Sequence, residues 1–215
     1  EIGVASTKAF ICQLIILKIL NIKFASDLLK INLKKRSIFL KGLLELPRLY
    51  SEVLSQNKDI KKLCKIFTRS HSALYLGRDV LYPIVLEGAL KLKEISYLHA
   101  EGYASGELKH GPIALIDKSM SVVALNPSTK VFEKTLSNLE EVKARRGKII
   151  LLTDEKGKDL SKSLTKSIFQ LPKCADFLAP ILYSLPLQLI AYYTALDKGT
   201  DVDQPRNLAK SVTVE

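Results

Sequence analysis

Short apolar runs alternate with longer helical patterns in the second part of the chain, and this alternation restricts the possible folds more than any other feature. The runs end at turn residues, and they are SALYL at 72–76, SVVAL at 121–125, KIILLT at 148–153 and SIFQL at 167–171. Strands that alternate with helices are typical of a parallel sheet covered on both faces. The sequence therefore predicts a three-layer α/β/α fold for residues 70–199.

Three helices are expected between and after these strands. The first begins near residue 84, and Gly and Pro are absent from 89–101. The second runs from about residue 129 to residue 145, and the third covers residues 178–197. Pro186 lies inside the third pattern, so we expect it to kink that helix or divide it in two.

The part of the chain before residue 70 is helical in pattern. Residues 9–29 form the most apolar run, but lysines interrupt it, and a membrane-crossing helix needs about 20 consecutive apolar residues. We therefore predict a buried or half-buried amphipathic helix here and no membrane partner. Residues 34–69 are predicted to form a helical connector, in which Pro47 marks a kink or the start of a second helix.

Charge and cysteine content argue against several classes of protein. The chain carries 33 Lys and Arg against 22 Asp and Glu, a formal net charge of +11, but the basic residues are dispersed and lack interleaved aromatic residues. We therefore predict no nucleic-acid partner. Cys12, Cys64 and Cys174 lie far apart, and no signal-peptide pattern or Cys–His metal spacing is present. A cytoplasmic protein with reduced thiols and no metal site is expected.

Charged residues form a stripe on the helix that begins near residue 84. Glu87, Lys91 and Glu94 are spaced four and three residues apart, which places two carboxylates and one ammonium on the same face. This spacing fits solvated surface pairs, which are common on helices and are the simpler interpretation, and it also fits a carboxylate and an amine held in a cleft for proton transfer. Spacing alone does not choose between the two.

Polar and glycine-rich segments follow this helix and two of the strands. After Gly102, glycines punctuate the chain as far as Pro112 and would place Glu107, Lys109 and His110 on a turn. Ligands of parallel sheets bind beyond the carboxyl ends of the strands, where GRD at 77–79 and NPST at 126–129 are found. Ser128 and Thr129 could cap a helix or donate to a phosphate, and capping is the simpler explanation.

Four segments closely resemble one enzyme family. They are LEGALKLKEISY, GELKHGP, the final QPRNLAKSVTVE and the opening EIGVASTKAF. Taken in chain order, these segments are similar to the isomerase portion of the glutamine-dependent glucosamine-6-phosphate synthases. These enzymes are also called glutamine–fructose-6-phosphate aminotransferases (isomerizing), and they contain two sugar-isomerase (SIS) halves. The resemblance implies that residues 1–33 are the C-terminal end of an incomplete first half and that residues 34–69 are a helical connector. Residues 70–199 then form the second half, and residues 200–215 form a C-terminal tail.

The resemblance also implies a set of catalytic residues. Enzymes of this family capture a ketose phosphate as an imine and shift a proton between adjacent carbons, which needs a primary amine and a carboxylate. Lys210, in NLAKS, matches the Schiff-base lysine, and Glu94 matches the carboxylate, with Lys91 as its assistant. His110 matches the histidine that opens the sugar ring in the neighbouring subunit of a dimer, while His71 and His99 have no counterpart and are taken as structural.

The same resemblance predicts the ligands and partners. Val4, Ser6 and Ala209 match positions that line the sugar site. The expected ligand is a sugar phosphate, fructose 6-phosphate or glucosamine 6-phosphate, and no cofactor is expected. The family's phosphate-binding loop and glutaminase domain have no counterpart in these residues. We therefore expect the chain to be inactive alone, and to form a homodimer or to associate with a separately made N-terminal half.

Two functional hypotheses remain open at this point. The first is the C-terminal isomerase portion of a synthase, cut from a longer enzyme or made as a separate piece. The second is a SIS-like module without turnover, either a remnant or a regulatory domain that binds sugar phosphates.

Overall fold

Five parallel strands form the centre of the molecule. A computed structural model describes residues 2–209. The strands are β1 Ser72–Gly77, β2 His99–Ala104, β3 Ser121–Leu125, β4 Lys148–Thr153 and β5 Ile168–Gln170. Their order in the sheet is β2-β1-β3-β4-β5, and each neighbouring pair is parallel. The chain therefore passes from β1 to one edge and then returns to the other side of β1, so the strand order reverses between β1 and β3.

Seven α-helices accompany the sheet within the part of the chain that the structure describes. They are α1 Lys8–Asp27, α2 Leu33–Ser55, α3 Asn57–Cys64, α4 Tyr82–Ser96, α5 Phe132–Ala144, α6 Glu155–Leu160 and α7 Ala179–Lys198. Short 3-10 turns connect several of them, at Lys65–Arg69, Asp79–Leu81, Ser105–His110, Pro112–Leu115 and Asp176–Leu178.

Both faces of the sheet are buried, because successive side chains of each strand enter opposite apolar clusters. In β1, Ala73 and Tyr75 pack with α3, α4 and α7, whereas Leu74 and Leu76 pack with α5. The period of two that a pleated strand imposes thus divides the core between two helical layers. The predicted three-layer α/β/α fold is confirmed.

The sequence did not reveal β2. Residues 99–104 were expected to end a helix and begin a glycine-rich turn, but α4 ends at Ser96 and the chain then forms a strand. The strand reads HAEGYA, is only half-buried over most of its length, and lies at the edge of the sheet beside β1. An edge strand has one partner and needs no continuous apolar run, so the usual signal was missing.

Neither internal proline divides its helix. Pro47 lies inside the continuous α2, and Pro186 lies inside the continuous α7. The predicted second start at Pro47 and the predicted division at Pro186 are therefore wrong. Apolar neighbours of both prolines are buried, and this tertiary packing outweighs the loss of a helical hydrogen bond.

Helix α1 differs from the predicted half-buried amphipathic helix. Phe10 and Leu14 pack against the core, but Ile22 is the one fully buried residue of this helix. A row of large apolar side chains is exposed; it comprises Ile16, Leu17, Ile19, Leu20 and Phe24. By length and composition, α1 and the segment Asp176–Lys198 could each cross a membrane, but 61% of the second is buried as a core helix against 6% of the first. The apolar surface of α1 therefore has no cover among residues 2–209.

Candidate active site

Lys91 is a buried cation held between two carboxylates on α4. Its Nζ lies 2.5 Å from Glu94 Oε2 and 3.5 Å from Glu87 Oε1. The side chain of Lys91 is 4% exposed, against 15% for Glu87 and 20% for Glu94. The stripe predicted from the spacing is present, but its ion pairs are not the solvated surface pairs that the simpler interpretation assumed. A buried ammonium needs such partners, because leaving it unpaired in the protein interior is costly.

Close packing of α4 against α7 buries this cation. A Cβ placed on Gly88 would lie 2.6 Å from Leu187 Cδ1 and 3.1 Å from Leu187 Cβ, so any other residue at position 88 would require Leu187 to shift. Lys91 follows Gly88 by one helical turn and therefore points toward the same neighbour. The LEGALKLKE segment thus couples the approach of the helices to the burial of the charge.

Burial changes the pKa of the Glu87 carboxyl. Removal from water raises the pKa of the Glu87 carboxyl above its ordinary value of 4.5, and the nearby Lys91 ammonium opposes this rise. The net upward shift means that burial outweighs the attraction of the cation at this position. Glu87 is therefore easier to protonate in the folded chain than in the unfolded one.

A cavity of about 470 Å³ opens beside Lys91. We call it the Lys91 cavity. It lies between α4, α7, the segment of residues 2–8 and the start of the tail at residues 202–203. From α7 it receives Gln188, Ala191 and Tyr192, which supply an amide and an aromatic ring next to the ammonium. Such a mixture of apolar walls and a few polar groups is typical of small-molecule sites.

Residues from the two ends of the chain meet at this cavity. The amide N–H of Val4 donates to the carbonyl of Asp203 at 2.8 Å, and Gln188 Nε2 donates to the carbonyl of Thr7 at 3.3 Å. Val4 and Ser6, which were predicted to line the sugar site, are half-buried in this segment. Their neighbours Gly3, Ala5 and Thr7 are the residues that border the cavity.

A second cavity, of about 350 Å³, lies beside Glu94. We call it the Glu94 cavity, and its lining consists of Lys93, Glu94, Tyr97, Arg206, Asn207 and Leu208. The tail therefore reaches the predicted catalytic carboxylate. Ala209 is exposed directly after this lining, and Lys210 lies outside the described residues. The Lys91–Glu94 ion pair joins the two cavities, since each partner borders one of them.

His110 is not brought to this pair. It ends the 3-10 turn Ser105–His110, is exposed, and lines neither the Lys91 cavity nor the Glu94 cavity. Lys109 Nζ lies 2.9 Å from Glu141 Oε1 and so ties this turn to α5. His71 and His99, taken as structural from the sequence, are both exposed.

The loops at the reversal of strand order form a smaller cavity of about 80 Å³. Arg78 and Lys130 contribute positive charge there, and Asp79 and Asp176 offset it. Ser128 Oγ donates to Asp154 Oδ2 at 2.6 Å, so Ser128 joins two loops.

Helix α5 begins only at Phe132 and has no side-chain cap. The predicted capping role of Ser128 and Thr129 is therefore wrong. Within residues 2–209, no group of three or more His, Cys, Asp or Glu side chains could hold a metal ion.

Sequence reasoning missed Tyr97, Asp203 and Arg206. Tyr97 follows α4 with a left-handed backbone, at φ 58°, and borders the Glu94 cavity together with Arg206. Asp203 holds Val4 through its carbonyl, an interaction of the backbone that no side-chain pattern reports. Tyr97 and Arg206 do lie inside the quoted segments LEGALKLKEISY and QPRNLAKSVTVE, which was the one available signal.

Comparison with known proteins identifies close relatives of the chain. The SIS domain family matches residues 66–198. Glutamine–fructose-6-phosphate aminotransferase [isomerizing] of Bartonella quintana (strain Toulouse) is 54% identical over 215 residues, which is 100% of this chain and 35% of that protein. The protein of the same name from Rhizobium meliloti (strain 1021) is 54% identical over 216 residues, 100% of this chain and 36% of that protein. The chain thus spans about a third of the length of these relatives.

Solved structures agree with the fold. The C-terminal domain of glucosamine-fructose-6-phosphate aminotransferase from Francisella tularensis has a TM-score of 0.89 and 44% identity, covering 95% of this chain and 57% of that one. A glucosamine-6-phosphate deaminase from Thermotoga maritima has a TM-score of 0.71 at 22% identity, covering 99% of this chain and 58% of that one, and shows a shared fold alone. The SIS-type fold and the resemblance to the isomerase portion are confirmed.

Replacing Glu87 by Gln should change how stability depends on pH. Because the pKa of Glu87 is raised, the folded chain binds more protons than the unfolded chain from pH 4.5 up to the raised pKa. The contribution of Glu87 to the free energy of unfolding therefore falls as the pH rises through this window. We therefore expect the free energy of unfolding of Glu87→Gln, measured with urea, to rise relative to that of the unmodified chain as the pH increases from 4.5 toward neutrality.

The matched control is Glu45→Gln, because Glu45 is exposed and pairs with Arg48 at the surface, at 3.0 Å. A free energy of unfolding of Glu87→Gln that stays constant or falls relative to the unmodified chain as the pH rises would contradict the electrostatic account of this site.

Proposed function

This chain belongs to the SIS domain family, and from that premise we propose that it is the C-terminal isomerase portion of a glucosamine-6-phosphate synthase. The proposed reaction converts fructose 6-phosphate to glucosamine 6-phosphate through an imine and a ketose–aldose proton shift. The observation that carries this proposal is the buried Lys91–Glu94 pair, which joins two cavities beside the tail. The 54% identity to relatives with that name supports it.

Glu94 is proposed to move the proton between the two carbons. A carboxylate acts as a general base when it is held within reach of a carbon acid and is partly withdrawn from water. Glu94 is 20% exposed, borders a cavity, and accepts a hydrogen bond from Lys91 at 2.5 Å. Lys91 thereby fixes the orientation of the carboxylate, and because Lys91 also lines the Lys91 cavity, its third N–H could donate to a hydroxyl of the substrate there.

The tail is proposed to supply the amine and a second subunit to supply the histidine. Residues 206–208 border the Glu94 cavity, and Lys210 follows Leu208 by two positions in the sequence. His110 is exposed and lines neither cavity of its own chain. This placement favours a homodimer, in which His110 of one subunit opens the sugar ring in the site of the other.

The exposed face of α1 is proposed to dock onto a first SIS half, within one polypeptide or as a separate chain. The exposed row from Ile16 to Phe24 is apolar over more than two turns, which is typical of a surface that another element covers. The matched domain from Francisella tularensis extends well beyond the matched part, since this chain covers 57% of it. That partner half is also proposed to hold the phosphate of the substrate. A cytoplasmic location is inferred with this metabolic role.

Residues 1–215 assayed alone should convert fructose 6-phosphate far more slowly than the same residues combined with a first SIS half. Contacts with the phosphate supply binding energy that positions the reacting carbons, and losing several of them should cost several powers of ten in kcat/KM. The measurement compares ammonia-dependent formation of glucosamine 6-phosphate by the chain, by the separately expressed half, and by both together. Full activity of the chain alone would contradict the proposed location of the phosphate site.

Glu94→Gln should abolish isomerisation in the active assembly without unfolding the chain. The substitution keeps the shape of the side chain and removes the base, and general-base catalysis contributes about 100- to 10,000-fold. The measurement is kcat for glucosamine 6-phosphate formation, with the thermal unfolding midpoint as a check on folding. Glu52→Gln on the exposed surface of α2 is the control. A Glu94→Gln enzyme within a few-fold of the unmodified assembly would exclude Glu94 as the base.

Lys210 should form a reducible imine with fructose 6-phosphate in the same assembly. A primary amine condenses with the ketose carbonyl, and borohydride reduces the resulting imine to a stable amine. Peptide mass spectrometry after borohydride treatment is expected to place the adduct on residue 210, and Lys210→Arg should abolish trapping. An adduct on Lys91 or Lys109 would show that the role of the tail has been misassigned.

A further inference from the structure

Tyr97 connects the end of α4 to the tail through two contacts. Its hydroxyl oxygen accepts a hydrogen bond from the amide N–H of Arg206 at 2.7 Å. The Arg206 guanidinium lies over the Tyr97 ring in a cation–π contact, with its central carbon 4.3 Å from the ring centroid. Tyr97 therefore holds both the backbone and the side chain of one tail residue.

The backbone of Tyr97 is itself unusual. Its φ of 58° lies in the left-handed region, which is sparsely populated by bulky residues and which helices normally reach at a glycine or an asparagine. An aromatic residue at this position turns the chain sharply between α4 and β2 and directs its ring toward the tail. The strained backbone therefore coincides with the placement of the Tyr97 side chain at the Glu94 cavity. Glu94 itself lies three residues earlier and borders the same cavity.

The first part of the tail has anchors of its own. Thr200 Oγ1 donates to the carbonyl of Ile95 at 2.5 Å, and Asp201 Oδ1 accepts from the amides of Asp203 and Gln204 at 2.9 Å each. Among residues 206–209, the contact that holds the tail by a hydrogen bond is the one from the Arg206 amide to Tyr97. Tyr97 is therefore the residue of α4's C-terminal end that contacts the tail at Arg206.

We propose that Tyr97 is a positioning residue that docks the tail against α4 and so delivers the chain beyond Arg206 to the Glu94 cavity. The proposal rests on the proposed function, because positioning matters for turnover only if the tail supplies the amine. An undocked tail would leave the Glu94 side chain intact but without its reaction partner. The rate of the imine-dependent step then falls with the fraction of molecules in which the tail is docked.

Three variants separate the two contacts from the backbone geometry. Tyr97→Phe keeps the ring and removes the acceptor oxygen. Tyr97→Asn removes both contacts, and asparagine tolerates the left-handed backbone. Tyr103→Phe is the matched control, since it removes the hydroxyl that donates to Glu101 Oε2 at 2.5 Å on β2, a hydrogen bond between residues outside both cavities.

The test has one readout that needs no substrate and one that does. Hydrogen exchange of peptides spanning residues 205–215 is measured on the unliganded chain, and kcat, KM and the rate of borohydride trapping are measured on the active assembly. Tyr97→Phe should raise the rate of hydrogen exchange in the tail peptides about tenfold and lower kcat about tenfold. Tyr97→Asn should change both quantities by more. The KM for fructose 6-phosphate and the thermal midpoint should stay close to those of Tyr103→Phe.

Two outcomes would overturn the inference. Tail exchange that is unchanged in both Tyr97 variants would show that Tyr97 does not dock the tail. Faster exchange with unchanged kcat and trapping would show that docking has no positioning role. An unmodified assembly without turnover would count against the proposed function instead, and the exchange measurement would still decide whether Tyr97 holds the tail.

Discussion

Burial of the Lys91 ammonium is the constraint on which the site depends. A cation withdrawn from water must be matched by opposite charge, and the carboxylates of Glu87 and Glu94, one turn before and one turn after, supply it. The match holds only while α4 remains helical and packed against α7, where Gly88 lies directly against the Leu187 side chain. The orientation of Glu94 is therefore set by the same packing that builds one layer of the fold.

The sequence predicted the strands that contain an apolar run and missed the edge strand that has none. Strands β1, β3 and β4 are buried on both faces, so each reads as an uninterrupted apolar run. The edge strand β2 has no such run and was missed, as was the continuity of α7 through Pro186. Tertiary packing decided both cases, and local preference does not report it.

The candidate site was predictable in its residues but not in its arrangement. Helical spacing placed Glu87, Lys91 and Glu94 on one face, and resemblance added roles, yet only the packing of α7 distinguishes a buried pair from a solvated one. The contacts of Val4 with Asp203 and of Tyr97 with Arg206 join segments that are remote in sequence. No periodicity within a segment encodes such contacts, so the positions of the tail and of the first residues beside the two cavities became visible only in three dimensions.

The hydrogen bond between Val4 and Asp203 has a consequence for biosynthesis. Asp203 lies about 200 residues after Val4 in the sequence, so it is synthesised roughly 10–40 s later at the usual rate of about 5–20 residues per second. During that interval the sheet can form from the strands already made, but the Lys91 cavity lacks one wall. Completion of the cavity therefore follows synthesis of the strands. A chain whose synthesis stops before Asp203 would have a folded sheet with an unfinished cavity.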